Sequence, residues 1–439
     1  MHFGAGTLCY CDNFCDRGAD DDCCPDYLAV CKGLSLKRPT CSYEGKEYAL
    51  GNTTMRNCRK CHLPRLGRSR ADRGHGRRLS PTRDIVRDRS TINRVLSVFE
   101  RGTFSSRGNS RRPRRRKNEA KCKEVTIEEA EWFCDDDSVC LMDEDVVRGV
   151  GSSGSGWQAT VYPQFWGRTL KDGIQYRLGT LPLRPITKNM GSVTYEPGVL
   201  PTNFDAREQW PSFVSPVRDQ GWCGSDWAVS LATVLADRFA IQSKGELQDE
   251  LSAQTLLSCN SRGQQGCTGG HIDVAWQFST RYGLVSEECL PYDINAKACP
   301  FPLSANATKM PCGSYGRWSR VYRSGPPSKL STEEDIKYEI RNWGPVQAII
   351  KVYQDLFHYR AGVYRHTGYG DSNLAGLHSV RVVGWGDDGG RPYWLIANSW
   401  GPEWGENGYV RVARDDPATT LEFVVTTLAD VAEHYEKRR

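Results

Sequence analysis

Between Asp226 and Gln242 residues suited to a buried face return every three or four positions, at Trp227, Ser230, Leu231, Val234, Leu235 and Phe239. This spacing predicts a helix with one side turned into a core. Further along, Val380 to Gly386, Tyr393 to Ala397 and Tyr409 to Ala413 are short runs rich in β-branched and aromatic residues, and they predict strands. A helix followed by a strand-rich half gives the C-terminal part, from about Leu200 to Arg439, an α+β character and enough chain for a sizeable core. No apolar run reaches the roughly 18 residues of a membrane span. From about Val146 to Gly156 the pattern gives way to Gly and Ser, the composition of a flexible linker.

The 439 residues leave room for two to four domains, and 18 of them are cysteines, which points to an oxidising compartment. The cysteines fall into three sets of six: Cys9, Cys11, Cys15, Cys23, Cys24 and Cys31; Cys41, Cys58, Cys61, Cys122, Cys134 and Cys140; and Cys223, Cys259, Cys267, Cys289, Cys299 and Cys312. Each set is even, so each module can close on itself through disulfides. Asn52 and Asn306 head N-x-[ST] triplets, the acceptors of N-glycosylation in a secreted chain. The chain opens Met1-His2-Phe3-Gly4 without a signal peptide, so the expectation is a secreted protein whose start lies upstream; a reduced cytosolic protein is the competing reading. Cys58-x-x-Cys61-His62 has a zinc-like spacing and Asp20-Asp21-Asp22 a calcium-like charge, but a disulfide-rich module and a solvated turn account for them. No metal or cofactor is expected.

Net charge is +5, yet between Leu63 and Lys117 there are 18 Lys or Arg against 4 Asp or Glu, so the remainder of the chain carries −9. The basic balance belongs to one insert of the kind that is ordinarily disordered. Its tail, Arg111 to Lys117, suits heparan sulfate, or cleavage by a basic-site processing protease, or is a retained intron. Nucleic-acid binding is not expected, because nothing aromatic interleaves the arginines.

Four ordered motifs carry the chemistry. They are Gln220-Gly221-Trp222-Cys223-Gly224-Ser225-Asp226-Trp227; Gly266-Cys267-Thr268-Gly269-Gly270; His378 ahead of Gly384-Trp385-Gly386; and Asn398-Ser399-Trp400-Gly401 with Trp404-Gly405 and Gly408-Tyr409. Together with Leu200-Pro201-Thr202-Asn203-Phe204-Asp205, they resemble a papain-like cysteine protease of the cathepsin B branch. The resemblance implies a two-lobed domain over 200–439, one lobe helical and one β-rich. It implies Gln220 as oxyanion donor, Asp226 at the nucleophile's position, His378 at the base, Asn398 as its orienting partner, and Trp400 shielding the His378–Asn398 hydrogen bond. It also implies a Cys223–Cys267 disulfide. The other four cysteines allow three pairings, of which Cys259 with Cys299 and Cys289 with Cys312 is favoured. Trp157 to Thr180 resembles the remains of a prosegment, expected to stay attached. The segment from Tyr292 to Gly313 lacks the histidine pair of cathepsin B, so dipeptidyl carboxypeptidase activity is not expected even with the cysteine restored.

Position 226 is where the resemblance breaks. A thiolate attacks an amide because sulfur is nucleophilic and the thioester it forms hydrolyses readily. A carboxylate would have to form a mixed anhydride, well uphill of a peptide bond. An oxyanion hole and binding alone leave roughly 10³ to 10⁴ over water in a well-studied serine protease. Charge is nonetheless kept: at a helix N-terminus the dipole favours an anion, and a carboxylate within about 4–6 Å of an imidazolium favours both charged forms. The expectation is an intact cleft spanned by a static Asp226–His378 ion pair.

Upstream, the spacing from Cys15 to Cys31 resembles a truncated somatomedin B-like domain (1–35), and the second cysteine set a von Willebrand C-like module (36–145, with the insert at 63–117). A linker and prosegment-like region (146–199) follow. This order resembles the tubulointerstitial nephritis antigen family, whose usual replacement at the nucleophile is serine. The resemblance implies a secreted, non-catalytic matrix glycoprotein with extracellular matrix proteins, cell-surface receptors or secreted signalling ligands as partners. The alternatives are an endopeptidase running an unusual Asp–His water chemistry, or a regulator of other proteases.

Overall fold

A computed structural model of the chain describes residues 139–431 apart from 185–186, 188–189, 197, 296–297 and 313–316, together with the backbone of short strands between residues 40 and 134. The chain divides into two units, residues 1–142 with 161–170, and residues 143–160 with 171–439. In the first, Thr40–Tyr43 pairs with Lys46–Ala49 and with Lys121–Cys122, which sets Cys41 opposite Cys122 in register. Phe133–Cys134 pairs with Arg59–His62, setting Cys61 opposite Cys134. Arg77–Arg78, within the basic insert, is also hydrogen-bonded to Phe133–Cys134. The first cysteine set, Asn52 and the Arg111–Lys117 tail lie outside the described residues.

The second unit begins with a correction. The Gly/Ser-rich stretch read as a flexible linker is helix α1, Glu144–Ser153. Asp143 caps it by accepting the Asp145 N–H, Glu144 and Asp145 place negative charge in the first turn, and Gly154 ends it at φ 66°. Val146, Val147 and Val150 share a buried face. Those three valines at helical spacing outweigh the intrinsic preference of the glycines and serines between them.

Strand β1 (Trp157–Ala159) and helix α2 (Leu170–Arg177) follow, then α3 (Asp226–Gln242), α4 (Ala253–Cys259), α5 (Ile272–Arg281) and α6 (Glu333–Trp343). Helix α3 has the bounds its spacing predicts, but it is buried on every side from Asp226 to Ile241. It packs on α4 and α5 on one side and on the sheet on the other, so even its polar face is lined by protein. Leu231, Leu235, Phe239, Leu256, Trp276 and Tyr322 are central to that core.

The sheet is built from β2 (Val346–Val352), β3 (Tyr359–Tyr364), β4 (Gly376–Asp387), β5 (Pro392–Ala397), β6 (Tyr409–Ala413) and β7 (Leu421–Thr426), in the order β1-β3-β6-β5-β4-β2-β7. Ser328–Leu330 and Gly191–Val193 extend it beyond β7, and Phe204–Asp205 pairs with β4. Strand β4 starts four residues before the predicted Val380, because Gly376 and Leu377 pair with Val352 and Lys351. His378 therefore sits inside a ladder, opposite Ile350, and not on a loop. Residues 171–184 belong to the same unit as these strands. Among the described residues no helix is long and apolar enough to cross a membrane.

Candidate functional site

Three elements converge at the head of α3. Asp226 is its first residue, His378 comes from β4, and Asn398 follows β5, all buried. The Cys223–Cys267 disulfide and the Gly224 N–H to Cys267 carbonyl bond (2.8 Å) pin the turn that delivers Asp226. Cys259–Cys299 and Cys289–Cys312 are the other disulfides of this unit, and Asn306 is exposed in a turn.

The His378 ring is held at both nitrogens. Nδ1 lies 3.0 Å from Asp226 Oδ2, and Nε2 lies 2.7 Å from Asn398 Oδ1. The Asn398 oxygen also accepts the Ser399 N–H at 2.8 Å, which fixes the amide's orientation. Both ring nitrogens thus face oxygen atoms, one of a carboxylate and one of an amide. Trp400 is fully buried, its ring 5.1 Å from the imidazole and stacked on Phe357, so the pair is shielded from water. His358 makes the contrast. Its Nε2 accepts the Asp143 N–H at 2.9 Å, and burial pushes its pKa down to about 4, so that ring is neutral.

Gln220 stands beside the turn, but its side chain is engaged. Nε2 donates to the Cys223 carbonyl at 2.8 Å, and Oε1 accepts from Ser399 Oγ at 2.7 Å. Tyr292 donates its hydroxyl to the Gln220 carbonyl at 2.8 Å, and burial pushes its pKa up to about 12, so it stays a neutral donor.

The cleft is not open. The chain leaving α2 runs through it, with Trp400 Nε1 donating to the Arg177 carbonyl at 3.2 Å. Arg177 itself pairs with Asp219 at 2.6 Å and lies 4.8 Å over the Trp222 ring. Gly179 N–H then donates to Asp226 Oδ1 at 2.6 Å, and Thr180 Oγ1 donates to Asp226 Oδ2 at 2.6 Å. The Gly179 carbonyl accepts the Gly270 N–H at 2.8 Å, and Leu181 N–H returns to the Gly270 carbonyl at 3.0 Å. With the Ser379 N–H at 2.8 Å, the Asp226 carboxylate receives four donors from the protein.

The sequence motifs named Gln220, Asp226, His378 and Asn398, and the fold brings all four together. They did not name Gly179, Thr180 or Ser379. The available signal was chemical: a buried anion at a helix head needs donors, and Gly followed by a hydroxyl residue in the prosegment-like stretch supplies two. Among the described residues no cluster of His, Cys, Asp and Glu could hold a metal ion.

Residues 200–426 match the papain family cysteine protease profile. The human protein named tubulointerstitial nephritis antigen-like is 34% identical, across 93% of this chain and 80% of its own length. Human tubulointerstitial nephritis antigen is 33% identical, across 96% and 82%. Among solved structures, procathepsin B S9 from Trypanosoma congolense superposes with a TM-score of 0.58 at 31% identity, covering 66% of this chain and all of that one. This chain is therefore a papain-family protein of the tubulointerstitial nephritis antigen-like branch.

Proposed function

We propose that this chain is a secreted, non-catalytic, cathepsin B-like glycoprotein acting in extracellular matrix adhesion or as a carrier of an extracellular ligand. One observation carries the loss of catalysis: the side chain at the head of α3 facing His378 Nδ1 at 3.0 Å is a carboxylate, not a thiolate. On this reading His378, Asn398 and Gln220 keep the positions of base, orienting group and oxyanion donor with no nucleophile to serve. An aspartate-driven water mechanism would need a second acid sharing a proton, as in aspartic proteases. The partners of the Asp226 carboxylate are instead Gly179, Thr180, His378 and Ser379. Secretion is supported by the three disulfides of the second unit and by the exposed Asn306 acceptor. Matrix proteins, cell-surface receptors and, through Arg111–Lys117, heparan sulfate are the proposed partners.

The test has two arms on the full secreted chain. Fluorogenic peptides and an epoxysuccinyl thiol probe should find neither turnover nor labelling, and turnover by the native chain would refute the loss of catalysis. Immobilised matrix extract should retain the protein, in part reversibly by heparin. Failure to bind any matrix fraction would refute the adhesive role and leave the carrier role, which predicts co-purification of a secreted ligand.

A further inference from the structure

Between Asp293 and Glu333 the chain carries six Lys or Arg and no Asp or Glu, although everything outside the basic insert sums to −9. Part of this cationic stretch is a hairpin. Lys309–Cys312 pairs antiparallel with Arg317–Arg320, setting Lys309 opposite Arg320, Met310 opposite Ser319 and Pro311 opposite Trp318. Met310 and Ser319 are buried, so the pairs on either side of them turn to the opposite face of the pleat. That outward face carries the Lys309–Arg320 pair and, about 7 Å further along the strands, the Pro311–Trp318 pair. Trp318 is 63% exposed, the most open tryptophan among the described residues. Lys309 is exposed as well, and Arg320 lies against the Tyr322 hydroxyl, which donates to Asp249. The hairpin contains no carboxylate of its own. Glu288 meets it through an exposed pair with Arg317, whose place in the register is on the face away from Trp318. The Cys289–Cys312 disulfide and the Val321 N–H to Thr308 carbonyl bond (3.0 Å) fasten the hairpin to the domain, so the face is held in shape before anything binds.

We propose that this outward hairpin face is a docking site for a sulfated polysaccharide, with Trp318 stacked on one sugar ring and Lys309 and Arg320 pairing with anionic groups of its neighbour. An exposed indole offers a flat apolar surface that suits the C–H face of a pyranose. The two cations beside it call for negative charge, and the surrounding stretch adds to that field without a carboxylate to cancel it. A folded acidic protein is the less suitable occupant. Four side chains are far short of the roughly 800 Å² per partner that a stable protein interface takes. A linear polyanion, by contrast, gains affinity from each released counterion along its length. The site is separate from the Arg111–Lys117 tail, and it rests on the matrix reading only for the compartment in which such a ligand is met.

Titration calorimetry of the full secreted chain with a heparin hexasaccharide tests this, in a background whose Arg111–Lys117 tail is replaced by serines. Binding should persist in that background. Lys309→Ser should weaken it about fivefold, the worth of one cation against an anionic surface, and should lower the slope of log affinity against log salt by just under one. Trp318→Ala should weaken binding by about two- to tenfold and leave that slope unchanged, because the ring contributes contact and no charge. Both side chains are exposed, so melting temperatures should stay at the native value. No binding once the tail is neutralised would overturn the proposal, and so would a Trp318→Ala protein that binds as tightly as its background. Trp318-dependent capture of an acidic protein without hexasaccharide binding would overturn it in favour of a protein interface. Hexasaccharide binding with no retention on matrix extract would sink the adhesive role alone, so the two ideas fail separately.

Discussion

Asp226→Ala separates a residue that merely replaces a nucleophile from one that holds the centre of the site. Four donors end on its carboxylate, at 2.6 Å from Gly179 N, 2.6 Å from Thr180 Oγ1, 2.8 Å from Ser379 N and 3.0 Å from His378 Nδ1. Alanine leaves the buried His378 ring without its Nδ1 partner and leaves the Gly179 and Ser379 N–H groups unpaired. Removing one partner of a buried ion pair costs about 3–5 kcal/mol, and each stranded donor about 1–3 kcal/mol before relaxation. Taking about 3–5 kcal/mol for the whole change, thermal unfolding should move down by roughly 6–20 °C for a domain of this size. Asp226→Asn keeps one acceptor oxygen of the two, so its loss should lie between those of the native chain and the alanine variant. Differential scanning fluorimetry with a denaturant titration measures both. An alanine variant melting within about 2 °C of the native chain would refute the assignment of Asp226 as the hub of the site.

Asp226→Cys should react with an epoxysuccinyl probe more slowly than the same variant carrying Gly179→Ala, because the chain leaving α2 covers the position and a Cβ on Gly179 would stand 1.9 Å from the Gly224 carbonyl oxygen; intact-mass kinetics measure the difference, and equal rates would mean that this segment does not guard the site. Stability should fall on acidification through His358. Its folded pKa of about 4 is depressed below the ordinary 6.5, so the unfolded chain takes up its proton first, and the stabilisation present above about pH 6.5 is lost as pH falls towards 4, by about 3 kcal/mol in total. Denaturant midpoints of the native chain and His358→Gln across that range check it, and the variant should show the shallower slope. Asn306→Gln in secreted material should remove one glycan, seen as a single step in mass after deglycosylation of the native chain.

What the sequence made legible were features written in local spacing. The apolar period from Trp227 to Phe239 gives α3 with the bounds observed, and Tyr409–Ala413 is the strand expected. Misreading came where two local signals disagreed. Around Gly149, Gly151 and Gly154 the composition argued for a linker, while the Asp143 cap and the valine spacing argued for α1; burial of the valines decided it. The donors to Asp226 were illegible for another reason. Thr180 and Asp226 are 46 residues apart, and no pattern along the chain announces that a hydroxyl in one segment will meet a carboxylate in another. The motifs located the anion, but its donors had to be found in space.

An aspartate is tolerated at this position because the surroundings were arranged for an anion in the first place. The helix head, the His378 ring and the Ser379 N–H would each favour a thiolate, and they favour a carboxylate for the same electrostatic reasons. A carboxylate is larger and carries two acceptors where sulfur carries one weak one, so it demands additional donors if it is to be buried without strain. Gly179 and Thr180 meet that demand. The site's geometry and the chain leaving α2 are therefore coupled: releasing that segment would leave a buried carboxylate short of two of its four donors. On the proposed non-catalytic reading, function is to be sought on the outer surfaces and the cysteine-rich modules.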